Sequence, residues 1–480
     1  MDVPIKFGTD GWRGIIAQDF TFDNVRACAQ AVADYLRESG LGDRGLLVGY
    51  DTRFASEDFA AAVAEVVAAS KIKVYLCSRA TPTPTISYGV QAKRTGGAII
   101  ITASHNPANW NGFKYKSEHG SSASSQVSAD LEGRLPAILA RGAIQRLPLA
   151  EGLEQGAIEY LDLAPAYLKR IAGFVDLENI RQAGLRIAVD SMYGAGAGYF
   201  RRLLAGGSTQ IAESHSRRNV LFPGMRPEPI AQNLAGLSAR VRRSGASVGL
   251  ATDGDADRIG IVDDKGEFVD PLQVFSLLAL YLLEVRGQRG AIVKGLATSS
   301  MLYRLGELFG VPVYETPVGF KHIAPLMIAG DVLIGGEESG GYGFKGHVPE
   351  RDGIMAGIYF LDLMVRMNKT PSQLLAYLYD KVGPHYYRRL DFELAPEASS
   401  ALARRVLQGK PETINGTRVT KLDTSDGFRF LLADGSWLLI RASGTEPVLR
   451  LYAESDSLAR VERLLEAGRR LAGIGDDQSR

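Results

Sequence analysis

At 480 residues the chain exceeds the size at which one hydrophobic core stops growing, so several domains are expected. Apolar residues make up 45% and charged ones 23%, ordinary for a globular protein, and a formal net charge of +1 excludes a global pull toward nucleic acid or an anionic membrane. Two cysteines, Cys28 and Cys77, are too few for a disulfide framework and read as reduced thiols in packing.

The opening MDVPIKFGTDGWRG has no basic stretch leading into an apolar run, so it does not read as a secretory signal. GLLVGYDTR (45–53) then reads as a buried strand ending in a polar loop. SEDFAAAVAEVVAAS (56–70) has helical apolar spacing behind a serine expected to cap it. KVYLC and GGAIIITASHNP repeat the strand-and-polar-loop arrangement, as do LRIAVDSMYGAGAGYFRRLL (185–204) and ASVGLATDGDADR (246–258). The most apolar window, 274–285, falls short of the roughly twenty residues that span a bilayer, so no membrane association and a cytoplasmic location are expected. GAIVKGLATSSMLYRLGELFG from 290 and DVLIGGEESGG from 331 continue the pattern. Continuous apolar strands alternating with helices predict parallel α/β sheets covered on both faces, with ligands at the carboxyl ends of the strands. The last hundred residues differ. HYYRRLDFEL and the closely spaced strands of 417–455, with Asp-Gly turns, predict a separate domain with a largely antiparallel sheet, closed by an amphipathic helix at 457–471.

Four polar motifs stand at strand ends. In ITASHNPANWNGFKY, Ser104 beside His105 has the makings of a nucleophile, although a turn satisfying its own backbone would look the same. In DGDADR, Asp253, Asp255 and Asp257 alternate, so an extended loop would turn all three carboxylates to one side, where only a hard cation such as magnesium relieves their repulsion. The alternative is a solvated acidic turn; an EF-hand is excluded because Arg258 stands where its glycine is needed and Asp264 where its glutamate is needed. GGEESGGYGFKGHVPERDG offers Glu337, Glu338 and Ser339 on a glycine-rich loop suited to sugar hydroxyls. RASGTEP offers Arg441, Ser443, Gly444 and Thr445 to a phosphate, or is a plain hairpin turn. There is no GxxxxGK[ST], HExxH or GxSxG, and Tyr199 breaks the dinucleotide fingerprint that Gly194, Gly196 and Gly198 suggest.

Taken in order, GTDGWRG, TASHNP, DGDADR, GEESGG and RASGTEP resemble the α-D-phosphohexomutase family over essentially the whole chain. The resemblance implies three related mixed-sheet α/β domains plus a C-terminal α+β domain with an antiparallel sheet, around a central cleft. The expected boundaries are 1–152, 153–268, 269–382 and 383–480, the last domain swinging about a linker near 383–384. It implies reversible phosphoryl movement between O1 and O6 of a hexose phosphate, with Mg²⁺ as cofactor and glucose 1,6-bisphosphate as activator and intermediate.

Carried over residue by residue, Ser104 would be the phosphoserine, and Asp253, Asp255 and Asp257 would hold Mg²⁺ with one of its oxygens. Arg13, His105, Lys114 and Arg258 would line the reacting centre, with Lys114 or His105 as general base. Glu337 and Ser339 would read the sugar, Arg441, Ser443, Gly444 and Thr445 would clamp its phosphate, and Lys294, Gly319, Lys321, His347 and Arg351 would face the cleft. The double glutamate of GEESGG is closer to phosphoglucomutase loops, which often carry an aromatic where this chain has Gly340, so glucose is the favoured sugar. Gly341 stands where mannose/glucose and glucosamine enzymes usually carry histidine; mannose comes next and glucosamine last. A monomer or homodimer is expected, with no nucleic-acid partner. A sugar-phosphate-binding protein without catalysis, a phosphatase and a bisphosphate synthase are the rival readings.

Overall fold

The computed structural model describes residues 5–8, 10–393, 405, 406, 409, 411–442 and 448–474, which form four sheets in chain order. The first contains β1 (Trp12–Ile15), β2 (Leu46–Tyr50), β3 (Val74–Cys77), β4 (Ala98–Ile101), β5 (Trp110–Lys116) and β6 (Ile158–Leu161), in the order β1-β5-β4-β2-β3-β6. The second contains β7 (Arg186–Asp190), β8 (Gln210–Ser214), β9 (Val248–Thr252), β10 (Ile259–Val262) and β11 (Phe268–Val269), in the order β11-β10-β9-β7-β8. The third contains β12 (Ala291–Gly295), β13 (Val313–Thr316), β14 (Val332–Gly336) and β15 (Tyr342–Phe344), in the order β13-β12-β14-β15. The fourth contains β16 (Tyr386–Glu393), β17 (Thr413–Ile414), β18 (Thr417–Asp423), β19 (Phe428–Leu432), β20 (Trp437–Ala442) and β21 (Val448–Ser455).

The strands are where the apolar runs placed them, and the first three sheets are mixed, as the family resemblance implies, where the apolar runs alone predict wholly parallel ones. β4 returns directly through antiparallel β5, β9 through β10, and β14 through β15. The short polar loop after each of these strands turns the chain back on itself instead of leading into a crossover helix. Those three turns contain Ser104, the DGDADR residues and Glu337. The fourth sheet is antiparallel throughout. β6 pairs with β3, so the first sheet takes its last strand from beyond residue 152.

Helix starts follow local chemistry. Thr21, Ser124, Asp176, Thr370 and Asp352 accept hydrogen bonds from the first-turn amides of the helices they precede. Ser56 does not do this. It is the first residue of the helix Ser56–Ala69, behind Ala55 in a left-handed conformation, and its hydroxyl donates to Asp51 Oδ1 at 3.0 Å. A buried carboxylate there competes more strongly for the hydroxyl than the helix amides do.

The second and third units share one core, in which Phe200 packs over Gly357 of the helix Gly353–Met367. The fourth docks on the third through Trp437, Leu439 and Tyr452 against Leu296 and Ala297. Around that patch Glu454 accepts from Ser300 N at 2.8 Å, and Arg429 donates to Leu296 O at 3.0 Å and Glu315 Oε2 at 2.6 Å. Gly383, with φ of 82°, ends the helix Pro371–Val382 where the linker was expected. Among the described residues no helix is long and apolar enough to cross a membrane.

Asp352 joins units at one point: it caps Gly353–Met367, accepts from Tyr167 Oη at 2.8 Å and meets His347 Nε2 at 2.8 Å. Asp352→Ala would leave both partners buried without it and remove the cap. A loss of roughly 3 kcal/mol is expected, read by chemical denaturation against wild type.

Candidate active site

Ser104 stands three residues past β4 in a left-handed conformation, φ 51°, and is buried. Its amide donates to Thr102 Oγ1 at 2.8 Å, and its hydroxyl donates to Asp253 Oδ2 at 2.7 Å and lies 3.3 Å from His105 Nδ1. The nucleophile candidate of the first unit therefore rests on the acidic loop of the second. The two loops meet backbone to backbone: a Cβ on Gly254 would come within 2.3 Å of Ser104 O.

Asp253, Asp255 and Asp257 do converge, with ligand oxygens within 4.8 Å of one another. The backbone is not extended as expected. DGDADR is the tight turn between β9 and β10, with Ala256 left-handed at φ 59°, and the reversal, rather than strand alternation, gathers the carboxylates. Gly194 and Gly196 have a role unrelated to a dinucleotide. A Cβ on Gly194 would meet Asp253 O at 2.7 Å and one on Gly196 would meet Thr252 Oγ1 at 2.7 Å, so both make room for the acidic turn.

All three carboxylates are fully buried. Burial raises the Asp253 carboxyl well above the usual range, and Asp257 and Asp255 add to the rise. Burial also raises Asp257, against the pull of Arg351. Asp255 is held low in spite of burial, by Lys114 Nζ at 2.9 Å and the Thr83 hydroxyl at 2.7 Å. Asp255 Oδ1 and Asp257 Oδ1 are buried with no hydrogen-bond partner. Three converging carboxylates with orphaned oxygens are the donor set of a hard divalent cation, and these residues fit one.

Lys114, on β5, is enclosed by carboxylates: Asp10 Oδ2 at 2.7 Å, Asp255 Oδ2 at 2.9 Å and Asp257 Oδ2 at 3.8 Å. Burial disfavours its charge, yet these three outweigh burial and hold the ammonium above its usual range. His105 is displaced the other way. Burial, then Arg258, Arg13, Arg450 and Arg53, push the imidazole well below its ordinary value, so it is neutral. Arg13 donates to Asn106 Oδ1 at 2.6 Å, and Arg258 pairs with Glu228 at 3.5 Å.

The third unit enters through Glu337, whose Oε2 lies 3.2 Å from Arg351 Nη1. Burial raises this carboxyl to about 7, with Arg351 opposing the rise. Ser339 is half-buried in the same turn. Arg351 is more occupied than a cleft-facing residue: Nη2 reaches Asp10 at 2.6 Å and Asp257 at 2.8 Å, and Nε reaches Glu350 at 3.3 Å. His347 is enclosed too, its side chain packed against Tyr88, Tyr167 and Phe174 and bonded to Asp352, so the structure turns it away from open space. Lys294 is buried against Glu315 at 2.8 Å in the seam between third and fourth units. Lys321, after the positive-φ Gly319, makes no hydrogen bond or ion pair among the described residues. Arg441, the penultimate residue of β20, has Nε on Asp426 at 2.9 Å, while Ser443, Gly444 and Thr445 lie outside the described residues.

Asp10 was passed over in reading GTDGWRG. It binds Lys114 and Arg351 through Oδ2 and Lys116 through Oδ1 at 3.1 Å, and despite burial these cations hold it well below the usual carboxylate range. Nothing in its local pattern sets it apart from any turn aspartate. Thr83, whose amide also donates to Asp255 O at 2.9 Å, was missed for the same reason.

The phosphoglucomutase/phosphomannomutase family models match this chain in four pieces. The alpha/beta/alpha domain I model covers 4–141, domain II 165–266, domain III 270–382 and the C-terminal domain 396–471. A Thermococcus kodakarensis protein named phosphoglucomutase/phosphomannomutase is 30% identical over 97% of this chain and 98% of its own. One from Thermococcus gammatolerans, provisionally named phosphoglucosamine mutase, is 31% identical over 97% of both chains. A crystal structure from Thermus thermophilus, provisionally named phosphomannomutase, matches with a TM-score of 0.86 at 35% identity, covering 98% of this chain and 100% of that one.

Arg351→Met would strip Asp10, Asp257, Glu337 and Glu350 of a shared counter-charge. Removing one partner of such a buried cluster costs about 3–5 kcal/mol, so a marked fall in thermal stability is expected by calorimetry.

Proposed function

The chain belongs to the phosphoglucomutase/phosphomannomutase family, and from that premise we propose that it interconverts glucose 1-phosphate and glucose 6-phosphate through a phosphorylated Ser104. The observation that carries the reading is the Ser104 hydroxyl seated 2.7 Å from Asp253 Oδ2, at the edge of a buried carboxylate triad with orphaned oxygens.

Asp253, Asp255 and Asp257, with an oxygen of the phosphorylated serine, would hold Mg²⁺. When bound it neutralises the transferring phosphoryl group and balances the buried carboxylates. The rest falls to the chain's own groups. The phosphoryl group leaves Ser104 Oγ for the free 6-hydroxyl of glucose 1-phosphate, whose proton passes by way of His105 to the departing serine oxygen, giving glucose 1,6-bisphosphate. That bisphosphate turns over in the cleft, and the group on O1 passes to Ser104. On this return the neutral His105 Nδ1, 3.3 Å from the serine hydroxyl, takes its proton, which passes on to O1 as the phosphoryl group leaves it. Lys114, Arg13 and Arg258 supply fixed positive charge around the transfer. Glu337 and Ser339 would take the sugar hydroxyls, while Arg441, Ser443, Gly444, Thr445 and Lys321 would take the phosphate that is not transferring.

The preference for glucose rests on the sugar loop. Its double glutamate is closer to phosphoglucomutase loops than to the others, and the absence of a side chain at Gly341 has a physical counterpart. A Cβ there would come within 2.4 Å of Arg351 Cδ, so the arginine stem fills the space a histidine would need.

A coupled assay with Mg²⁺ and catalytic glucose 1,6-bisphosphate tests the reading. Glucose 1-phosphate is expected to turn over faster than mannose 1-phosphate or glucosamine 1-phosphate, and Ser104→Ala to lose at least roughly a thousandfold in kcat. Faster turnover of another sugar would correct the substrate; full activity in Ser104→Ala would remove the mechanism.

A second expectation concerns pH. Glu337, raised to about 7, is protonated below that pH and can then no longer accept two sugar hydroxyls as a carboxylate. Wild-type kcat/KM should fall as pH drops through about 7. Glu337→Gln should lose that limb and keep only the one set by the substrate phosphate, whose second pKa is near 6.

A further inference from the structure

Arg53 follows β2 in YDTRF and is completely buried, yet the reaction described above does not use it. Its guanidinium spends its terminal donors on one short stretch of chain. Nη2 donates to Ser104 O and Asn106 O, each at 2.7 Å; Nη1 donates to Pro107 O at 2.8 Å and Trp110 O at 3.1 Å. Four carbonyls of the serine loop thus converge on one planar fork. Nε faces Asp51 Oδ2 at 3.2 Å.

Asp51 extends the hold to the other side of the loop. Its Oδ2 accepts from Thr102 Oγ1 at 2.6 Å, and that oxygen accepts in turn from Ser104 N at 2.8 Å. The amide and the carbonyl of Ser104 are therefore both tied to the Asp51–Arg53 pair. A serine at φ 51° is in a conformation that L-residues avoid unless their surroundings impose it. Rotation of that residue back to an ordinary φ would swing Oγ away from Asp253.

The second unit holds the same pair from behind. Phe222 lies under the guanidinium with 5.1 Å from Cζ to the ring centroid. Arg218 donates to Thr52 O and to Arg53 O, both at 2.9 Å, and Thr52 Oγ1 donates to Tyr193 O at 2.8 Å. Serine loop and acidic turn are thereby registered to a common support.

We propose that Arg53 is the positioning residue that holds Ser104 in its left-handed conformation, with Oγ aimed at the acidic turn, for each phosphoryl transfer. This rests on the reading of Ser104 as the phosphoryl carrier. Lysine cannot substitute: its single nitrogen carries three donors and cannot meet four carbonyls spread along a plane. Because none of the contacts of Arg53 among the described residues is with a group assigned to the sugar or its phosphate, the role predicts a defect in turnover and not in substrate affinity.

The test compares wild type, Arg53→Lys and Thr102→Val, the last removing the hold on the Ser104 amide while leaving the arginine. Each is assayed for folding by circular dichroism and thermal melting, for kcat and KM, and for labelling of Ser104 from ³²P-labelled glucose 1,6-bisphosphate. In folded variants kcat and labelling rate should fall about a hundredfold, the scale of a 1 Å misplacement, with KM changed less than about threefold. Lowered melting temperature with wild-type kcat and labelling in either folded variant would reduce the pair to scaffolding and overturn the proposal. If Arg53→Lys does not fold, Thr102→Val decides by the same readouts. A wild type that takes no label at Ser104 would overturn the phosphoserine reading and this inference with it; a labelled wild type isolates the role of Arg53.

Discussion

Three carboxylates buried within 4.8 Å of one another are the constraint around which the rest of the structure is arranged. Removed from water, like charges at that separation repel by several kcal/mol each, so their protons are retained unless positive charge is brought in. The opposed directions of Asp253 and Asp255 express this: one is raised by burial and its neighbours, while the other is held low by Lys114. A divalent cation at the orphaned oxygens would complete the balance. The hydroxyl of Ser104 already borders that arrangement, so a phosphoryl group on it would enter a site built to neutralise negative charge.

The compensating charges come from separate units, and this joins the domains. Lys114 is on β5 of the first sheet, the triad lies between β9 and β10 of the second, and Arg351 follows β15 of the third. Among the described residues Arg351 alone touches carboxylates from all three units: Asp10, Asp257, Glu337 and Glu350. The same guanidinium connects the sugar loop to the acidic turn, so displacement of one is felt by the other. The fourth unit packs on the third through an apolar patch around Trp437 and Tyr452, bordered by the Arg429–Glu315 ion pair.

The strand ends carrying the motifs were legible because continuous apolar runs such as AIII and VGLAT have no stable place except a covered sheet. Antiparallel β5, β10 and β15 were not, since FKYK and YGF carry no mark of strand direction. His347 and Arg351 lie in a motif rich in polar residues and read as cleft-facing. The burial of His347 follows from the rings of Tyr88, Tyr167 and Phe174, and that of Arg351 from Asp10, 341 residues away along the chain. The helix-capping role read for Ser56 failed for a similar reason, because Asp51 takes its hydroxyl.

By itself the sequence determined the order of strands and helices, the family, and the residue types present at each motif, because apolar periodicity and short polar signatures are local properties of the chain. Only the tertiary structure decided which charges meet: that Asp10 holds Lys114, that Arg53 binds the Ser104 loop, and that a tight turn rather than an extended loop gathers Asp253, Asp255 and Asp257. The physical reason is that Coulomb and hydrogen-bond partners are chosen by distance in space and by loss of water. Neither is encoded in the spacing of residues along the chain.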